Sequence, residues 1–166
     1  MIRKASRGDI PKLCDIYNDA ILHTTATFDM EMKTMENRRE WFEEHEKDPY
    51  VILVDVDATT CDVTGYASLS QYRERKAFDQ TVEISVYIAE QYRGCGIGDA
   101  LMREILSLAK TNPKIHTVIS LIEGSNETSI HLHEKHGFTY CGQIKQVGYK
   151  FDKWLDLNTY QLHVYE

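Results

Sequence analysis

No apolar run in this chain approaches the length of a membrane span, and the first ten residues, "MIRKASRGDI", lack the apolar segment of a signal peptide. Both absences point to a cytoplasmic protein. Cysteine is sparse and scattered: Cys14, Cys61, Cys95 and Cys141 form neither the close pairs of a zinc site nor the density of a disulfide framework. They read as free thiols. His133 and His136 share a helical face in "HLHEKH", but the spacing offers no third ligand, so no metal is expected. Positive charge is in deficit, 19 Lys+Arg against 26 Asp+Glu, for a formal net charge of -7. That balance argues against neutralising a phosphate backbone or an anionic membrane surface, which leaves neither nucleic acid nor membrane as an expected partner. Linkers, repeats and low-complexity segments are missing too, and a 166-residue chain with 42% hydrophobic residues is long enough for one core. Residues 1–166 are therefore expected to form a single domain.

What is present is a regular alternation of periodicities. "IRKA" reads as a short strand, followed by a helix from Asp9 as N-cap, with Pro11 in its first turn, to about His23. Its apolar face is Leu13, Ile16, Tyr17, Ala20 and Ile21. A second helix spans about residues 35 to 47, with Trp41, Phe42 and His45 as its inner stripe. Three strands follow in "YVILVDV", "VTGYASLSQY" and "TVEISVYIA", the first two joined by a polar turn and hence antiparallel. Then come a helix over 98 to 110, the strand "HTVISLI", a helix over about 126 to 136, and closing strands in "FTYCGQIKQVG" and "LDLNTYQLHV". This order predicts an α/β (α+β) fold: a mixed sheet of about six to seven strands with helices on both faces, antiparallel early and parallel where a helix crosses between strands.

The segment "RGCGIG" stands between the fourth strand and the third long helix. Glycine adopts positive φ freely, so this stretch can fold its amides into a concave nest at a helix N-terminus, where the dipole favours phosphate. A Walker A loop would continue with Lys and Ser/Thr, whereas Asp99 and Ala100 follow here. A dinucleotide fingerprint has different glycine spacing and an acid at the end of the next strand. A plain tight turn between strand and helix remains open.

Taken together, "VEISVYIAEQYRGCGIGDAL" and "NETSIHLHEKHGF" resemble the acetyl-CoA-binding core of the GNAT superfamily of N-acetyltransferases. The order of elements agrees over the whole chain. "YNDAILHTTATFD", "REWF", "YRERKAF" and "GYKFDKWLDL" look closer still to the phosphinothricin and methionine sulfoximine N-acetyltransferase branch.

The resemblance implies acetyl-CoA as co-substrate and a small amine or amino acid as acceptor. Pantetheine would lie between two splayed parallel strands against the backbone of Val86, Tyr87 and Ile88. Pyrophosphate would sit on the amides of Arg93, Gly94, Cys95, Gly96, Ile97 and Gly98, with the Arg93 guanidinium adding charge-assisted bonds. Asn126, Ser129 and Lys135 would hold the pantetheine arm or lie near it. Glu83 would take the proton of the acceptor amine, which must be neutral to attack. On alternation alone, without the resemblance, Glu83, Ser85 and Tyr87 read as a solvated strand face sooner than as a catalytic one. His133 stands where many superfamily members carry a tyrosine acid, and it is either a proton donor or a packing histidine. Arg73 and Arg75 would bind the anionic end of the substrate, and Phe28 would wall its pocket, with Tyr66 and Tyr72 as weaker candidates; "RERK" is otherwise a solvated charged loop.

Three residues depart from the branch pattern: Asp99 beside the phosphates, Glu74 between the arginines, and Met32 in the early loop. Asp99 is expected to repel the ligand, so that Asp99→Lys tightens CoA binding. A homodimer is also implied, with Trp154 and Tyr160 serving an interface or the core. An acyl-CoA sensor module and a peptide or protein N-acetyltransferase are the alternatives.

Overall fold

Two-residue alternation sets the strands and 3.6-residue alternation the helices. In the computed structural model, which describes residues 1–165, the strands are β1 (Ile2–Lys4), β2 (Val51–Val56), β3 (Val63–Gln71), β4 (Thr81–Ile88), β5 (Thr117–Glu123), β6 (Thr139–Lys150) and β7 (Lys153–His163). The helices are α1 (Ile10–His23), α2 (Met35–Glu44), α3 (Ile97–Thr111) and α4 (Glu127–Lys135). Each expected element is present, with ends displaced by a few residues. The strands form one sheet in the order β1-β2-β3-β4-β5-β7-β6.

Among the described residues β4–β5 is the only parallel pair, as expected where α3 crosses between strands. The crossing through α4 does not pair its two strands. β6 and β7 form a hairpin whose two-residue loop, Phe151 and Asp152, has φ of 52° and 58°. β7 carries buried Leu155 and Tyr160 and takes the place beside β5. The largely exposed β6 becomes the edge.

The sheet divides the expected single core in two. On one face α3 packs Leu101, Met102, Ile105, Leu106 and Ala109 against Leu69, Val82 and Val118. On the other, α1 and α2 pack Leu13, Ile16 and Phe42 against Ile52, Val54 and Tyr66. The inner stripe of α2 holds Phe42 and His45 as predicted, with Trp41 half-buried. Arg38, four residues before Phe42, is buried on the same stripe, its guanidinium 4.9 Å from the Tyr17 ring centroid and 4.7 Å from that of Trp41.

Candidate active site

The site begins where the sheet opens. β4 and β5 pair only at Thr81, Val82 and Glu83 with Thr117, Val118 and Ile119, and then diverge. On the far side of β4, Ala89 donates its amide to Thr64 O at 2.8 Å. In an antiparallel ladder the backbone direction alternates, so Tyr87 and Ser85 also turn their amides toward β3, whereas Ile84, Val86 and Ile88 turn theirs into the gap. The amides of Val86 and Ile88 thus face the gap, as a pairing with an extended ligand would require, although the Ile88 carbonyl accepts from Arg93. The Tyr87 amide does not; its ring contributes instead.

Beneath the gap lies a cleft of about 1060 Å³. Of the expected donor-site residues, Val86, Tyr87, Ile88, Arg93, Gly94, Gly96, Ile97, Gly98, Asn126, Ser129 and Lys135 all line it, and Cys95 alone does not. Gly94 and Gly96 have φ of 77° and 80°, and a Cβ on either would meet nothing within 4 Å. Gly96 caps α3, so this bend aims the first amides of the helix at open space, the chemistry a pyrophosphate requires. Arg93 flanks the bend but is partly engaged: its Nε donates to Ile88 O at 3.1 Å and its Nη2 lies 3.4 Å from Asp19. Asn126 caps α4 through Oδ1, which accepts the Ser129 amide at 3.2 Å, leaving its Nδ2 free to donate.

Asp99 proves to be a bridge. Its carboxylate binds Arg103 at 2.7 Å, Lys135 at 3.0 Å and His136 at 2.8 Å. Lys135 foremost, then His136, pull its pKa down to about 2. These contacts tie the first turn of α3 to the last turn of α4 across the cleft. The expected repulsion is answered by Arg103 and Lys135, with His136 as a further hydrogen-bond partner, and Lys135 is spent on Asp99. Asp99→Lys is therefore expected to weaken acetyl-CoA binding, roughly threefold at low salt, by breaking the bridge that holds α3 and α4 in place around the cleft. A tighter dissociation constant by calorimetry would restore the repulsive role.

On the opposite face of the gap is a second cleft, of about 770 Å³, bordered by Phe28, Arg38, Trp41, His45 and Glu83. The two clefts share Ala26, Ser85, Tyr87, Leu121 and Glu123, so they meet through the opening between β4 and β5. Its floor is a ladder of cross-strand pairs from β3 and β4: Tyr66 with Tyr87, Ser68 with Ser85, and Ser70 with Glu83. Burial pushes the Glu83 carboxyl up, and the Arg73 charge pulls it partly back. Phe28 is held over the cleft by β6: a Cβ on Gly148 would lie 2.7 Å from two of its ring carbons, and Lys150 donates to Thr27 O at 2.8 Å.

Arg73 and Arg75 do not line this cleft. Both are exposed, and among the described residues neither has an ion-pair partner. Arg73 lies over the Tyr72 ring at 5.1 Å. Tyr66 is 1% exposed and serves as floor. Glu74 and Met32 are exposed.

His133 lines the first cleft, but its surroundings oppose an acid role. Its Nδ1 is 2.7 Å from Ser129 O, which can only accept, so Nδ1 carries the proton. Its Nε2 then accepts from Ser120 Oγ at 2.9 Å. Burial lowers its pKa, and the ring packs edge-on against Phe138 at 5.0 Å. With its Nδ1 proton held by Ser129 O and its Nε2 taken by the Ser120 hydroxyl, the ring has no free proton for a departing thiolate, which favours the packing alternative.

Sequence reasoning missed Tyr17, Arg38, Ser68, Ser70 and Glu123 as cleft residues. A charge on the inner stripe of α2 and polar residues alternating along β3 were the available signals.

Comparison with known proteins agrees with this geometry. A profile of the acetyltransferase (GNAT) family matches residues 12–138. The chain is 40% identical over 163 residues to the L-methionine sulfoximine/L-methionine sulfone acetyltransferase of Pseudomonas paraeruginosa, covering 98% of this chain and 94% of that one. It is 35% identical to the phosphinothricin N-acetyltransferase of Streptomyces coelicolor, covering 96% and 94%. The solved structure of the Salmonella typhimurium acetyltransferase yncA, described with its cofactor acetyl-CoA, superposes with a TM-score of 0.95 at 37% identity, covering 100% and 94%. With its opened sheet, strand amides facing the gap and glycine nest, this chain belongs to the acetyltransferase (GNAT) family and is an acetyl-CoA-dependent acyltransferase.

Proposed function

We propose that the enzyme transfers acetyl directly from acetyl-CoA to the α-amino group of a small amino acid or analogue of the methionine sulfoximine, methionine sulfone or phosphinothricin type, with Glu83 as base. The observation that carries this assignment is the place of Glu83: it lines the acceptor cleft at the last paired position before β4 and β5 diverge, where the sheet opens toward the donor cleft. Acetyl-CoA, when bound, supplies the thioester that the amine attacks. The chain supplies the rest. Val86 and Ile88 present backbone groups in the gap, and the nest at Gly94 and Gly96 receives phosphate. Glu83 removes the proton that keeps an ammonium unreactive. Arg73 and Arg75 stand outside the cleft lining, exposed and without ion-pair partners among the described residues; Arg73, whose charge acts on Glu83, would with Arg75 meet the carboxylate or the phosphinyl or sulfone end of an acceptor that extends beyond the cleft.

A thiol-release assay with acetyl-CoA tests this, using methionine sulfone, methionine sulfoximine, phosphinothricin, polyamines and peptides as acceptors. Turnover confined to the amino-acid analogues supports it. Peptide turnover would instead indicate a protein N-acetyltransferase, and CoA binding without turnover a sensor module.

The base assignment has a pH consequence. Glu83 acts only when ionised, so kcat/KM falls as pH drops through its pKa, which burial holds above the ordinary carboxylate range. Arg73 favours the ionised form. Arg73→Ala is thus expected to move the acid limb upward in pH, besides raising the acceptor KM. A limb that stays in place would remove Arg73 from the surroundings of the base.

The quaternary state belongs to the same proposal. Tyr160 is core at 3% exposed, whereas Trp154 is 63% exposed and packs on its cross-strand neighbour Tyr149, ring centroids 5.0 Å apart, as an exposed aromatic patch on the β6–β7 hairpin. We assign this patch to a homodimer interface. Light scattering should give twice the mass of one chain; a monomer at micromolar concentration would exclude it. Four free thiols suit the reducing cytoplasm. No helix among the described residues is long and apolar enough to cross a membrane.

A further inference from the structure

The acceptor cleft contains a buried histidine that the proposed chemistry leaves unused. His45, at the end of α2, is 5% exposed. Its Nδ1 lies 2.6 Å from Trp41 O and its Nε2 2.7 Å from Ser70 Oγ. A carbonyl oxygen can only accept, so Nδ1 bears the ring proton. Burial keeps the ring neutral, which leaves Nε2 as a bare acceptor. The Ser70 hydroxyl must then donate to His45. Its single proton is held on His45 Nε2, so its remaining lone pairs are what Ser70 can offer to a ligand in the cleft. Among the described residues Ser70 Oγ has no other hydrogen-bond partner.

Ser70 stands directly across the strand pair from Glu83. Side chains so paired have Cβ atoms about 4.5–5.5 Å apart, close enough for one ammonium to reach both. An amine approaching Glu83 therefore meets a carboxylate on one side and a hydroxyl oxygen fixed as an acceptor on the other. The same device recurs at His133, which spends Nδ1 on the carbonyl four residues earlier and takes the hydroxyl of Ser120 on Nε2. In both places a helix histidine fixes the direction of a strand serine.

We infer that Ser70 is a second ligand of the acceptor ammonium, beside Glu83, and that His45 is a positioning residue that turns the Ser70 proton away from the substrate. This rests on the assignment of the second cleft to an amino-acid acceptor. A freely rotating hydroxyl would spend part of its time presenting a proton to a cation; His45 removes that orientation. The pair would select for the protonated amine on arrival, before Glu83 takes its proton.

Steady-state kinetics with acetyl-CoA and L-methionine sulfone test the inference through a double-mutant cycle. Ser70→Ala is expected to raise the acceptor KM roughly tenfold, a typical loss for a hydrogen bond to a charged group, and to leave the acetyl-CoA KM unchanged. His45→Leu should raise the acceptor KM about threefold alone, and add nothing in the Ser70→Ala background, because it acts only through Ser70. Ser70→Thr keeps the hydroxyl, and His45→Gln keeps an acceptor for it; each should hold the acceptor KM near that of the wild type, even if His45→Leu folds poorly. Additive effects of Ser70→Ala and His45→Leu, or an unchanged acceptor KM in Ser70→Ala, would overturn the inference while wild-type turnover stands. Absence of wild-type turnover with any amino acid, CoA still binding, would overturn the acceptor assignment and this inference with it.

Discussion

Glu83→Gln is expected to lower kcat/KM for the acceptor amine by about 10²–10⁴-fold, the range of a lost general base, with the dissociation constant for acetyl-CoA unchanged. The substitution keeps the size of the side chain and its capacity to accept a hydrogen bond, but its amide cannot take a proton. Glu83 lines the acceptor cleft and not the donor cleft, so the donor site should be untouched. The loss should concentrate in kcat, because the amide oxygen can still receive one N–H of the ammonium. The pH dependence is the sharper sign. In the wild type kcat/KM is expected to fall on the acid side as the buried carboxyl protonates; in Glu83→Gln that limb should vanish, leaving a low and rising profile set by the amine itself. Undiminished kcat/KM across pH would exclude Glu83 from the chemistry.

Gly96→Ala is expected to weaken acetyl-CoA binding by roughly tenfold or more, since an L-residue at positive φ costs about 1–2 kcal/mol. Gly96 has φ of 80° and caps α3. Either the chain holds that conformation under strain, with a methyl group entering the open space meant for phosphate, or the bend relaxes and the helix amides turn away. Both outcomes weaken the nest. Gly98→Ala is the control: a Cβ there meets Leu132 Cδ2 at 3.5 Å, an ordinary contact, and Gly98 has no positive φ. It should leave the dissociation constant within about twofold. Equal effects from the two substitutions, measured by calorimetry, would mean that the bend is a plain connection and phosphate binds elsewhere.

The fold was legible wherever periodicity is local. Alternation in "VILVDV" and "TVEISVYI" and the stripe of α3 marked strands and helix to within a few residues. The order of the last strands was not legible, because the insertion of β7 beside β5 depends on which strand of the hairpin buries Leu155 and Tyr160, a contact made far away in sequence. The lining of the first cleft was legible because most of it is one continuous stretch from Val86 to Gly98 with conformational demands on glycine. The lining of the second was not, because it gathers side chains from α1, α2, β3, β4 and β5. Arg38 was hidden by its charge: a cation on an inner stripe makes sense only once the rings of Tyr17 and Trp41 are seen around it. Asp99 looked like a repulsive neighbour of phosphate because Lys135 and His136, its partners, lie on another helix. His133 shows the reverse limit: the residue type suits an acid, and only its hydrogen bonds to Ser129 and Ser120 show a ring whose one proton is already spent on the backbone.

The most direct test is a crystal structure of the complex with CoA and L-methionine sulfone. The amine is predicted to lie within hydrogen-bond distance of Glu83, under Phe28 and facing the gap between β4 and β5, with the sulfone or carboxylate toward Arg73 and Arg75 and the pyrophosphate on the amides from Gly94 to Gly98. An acceptor bound outside the cleft that Glu83 lines, or an amine beyond reach of its carboxylate, would contradict the account.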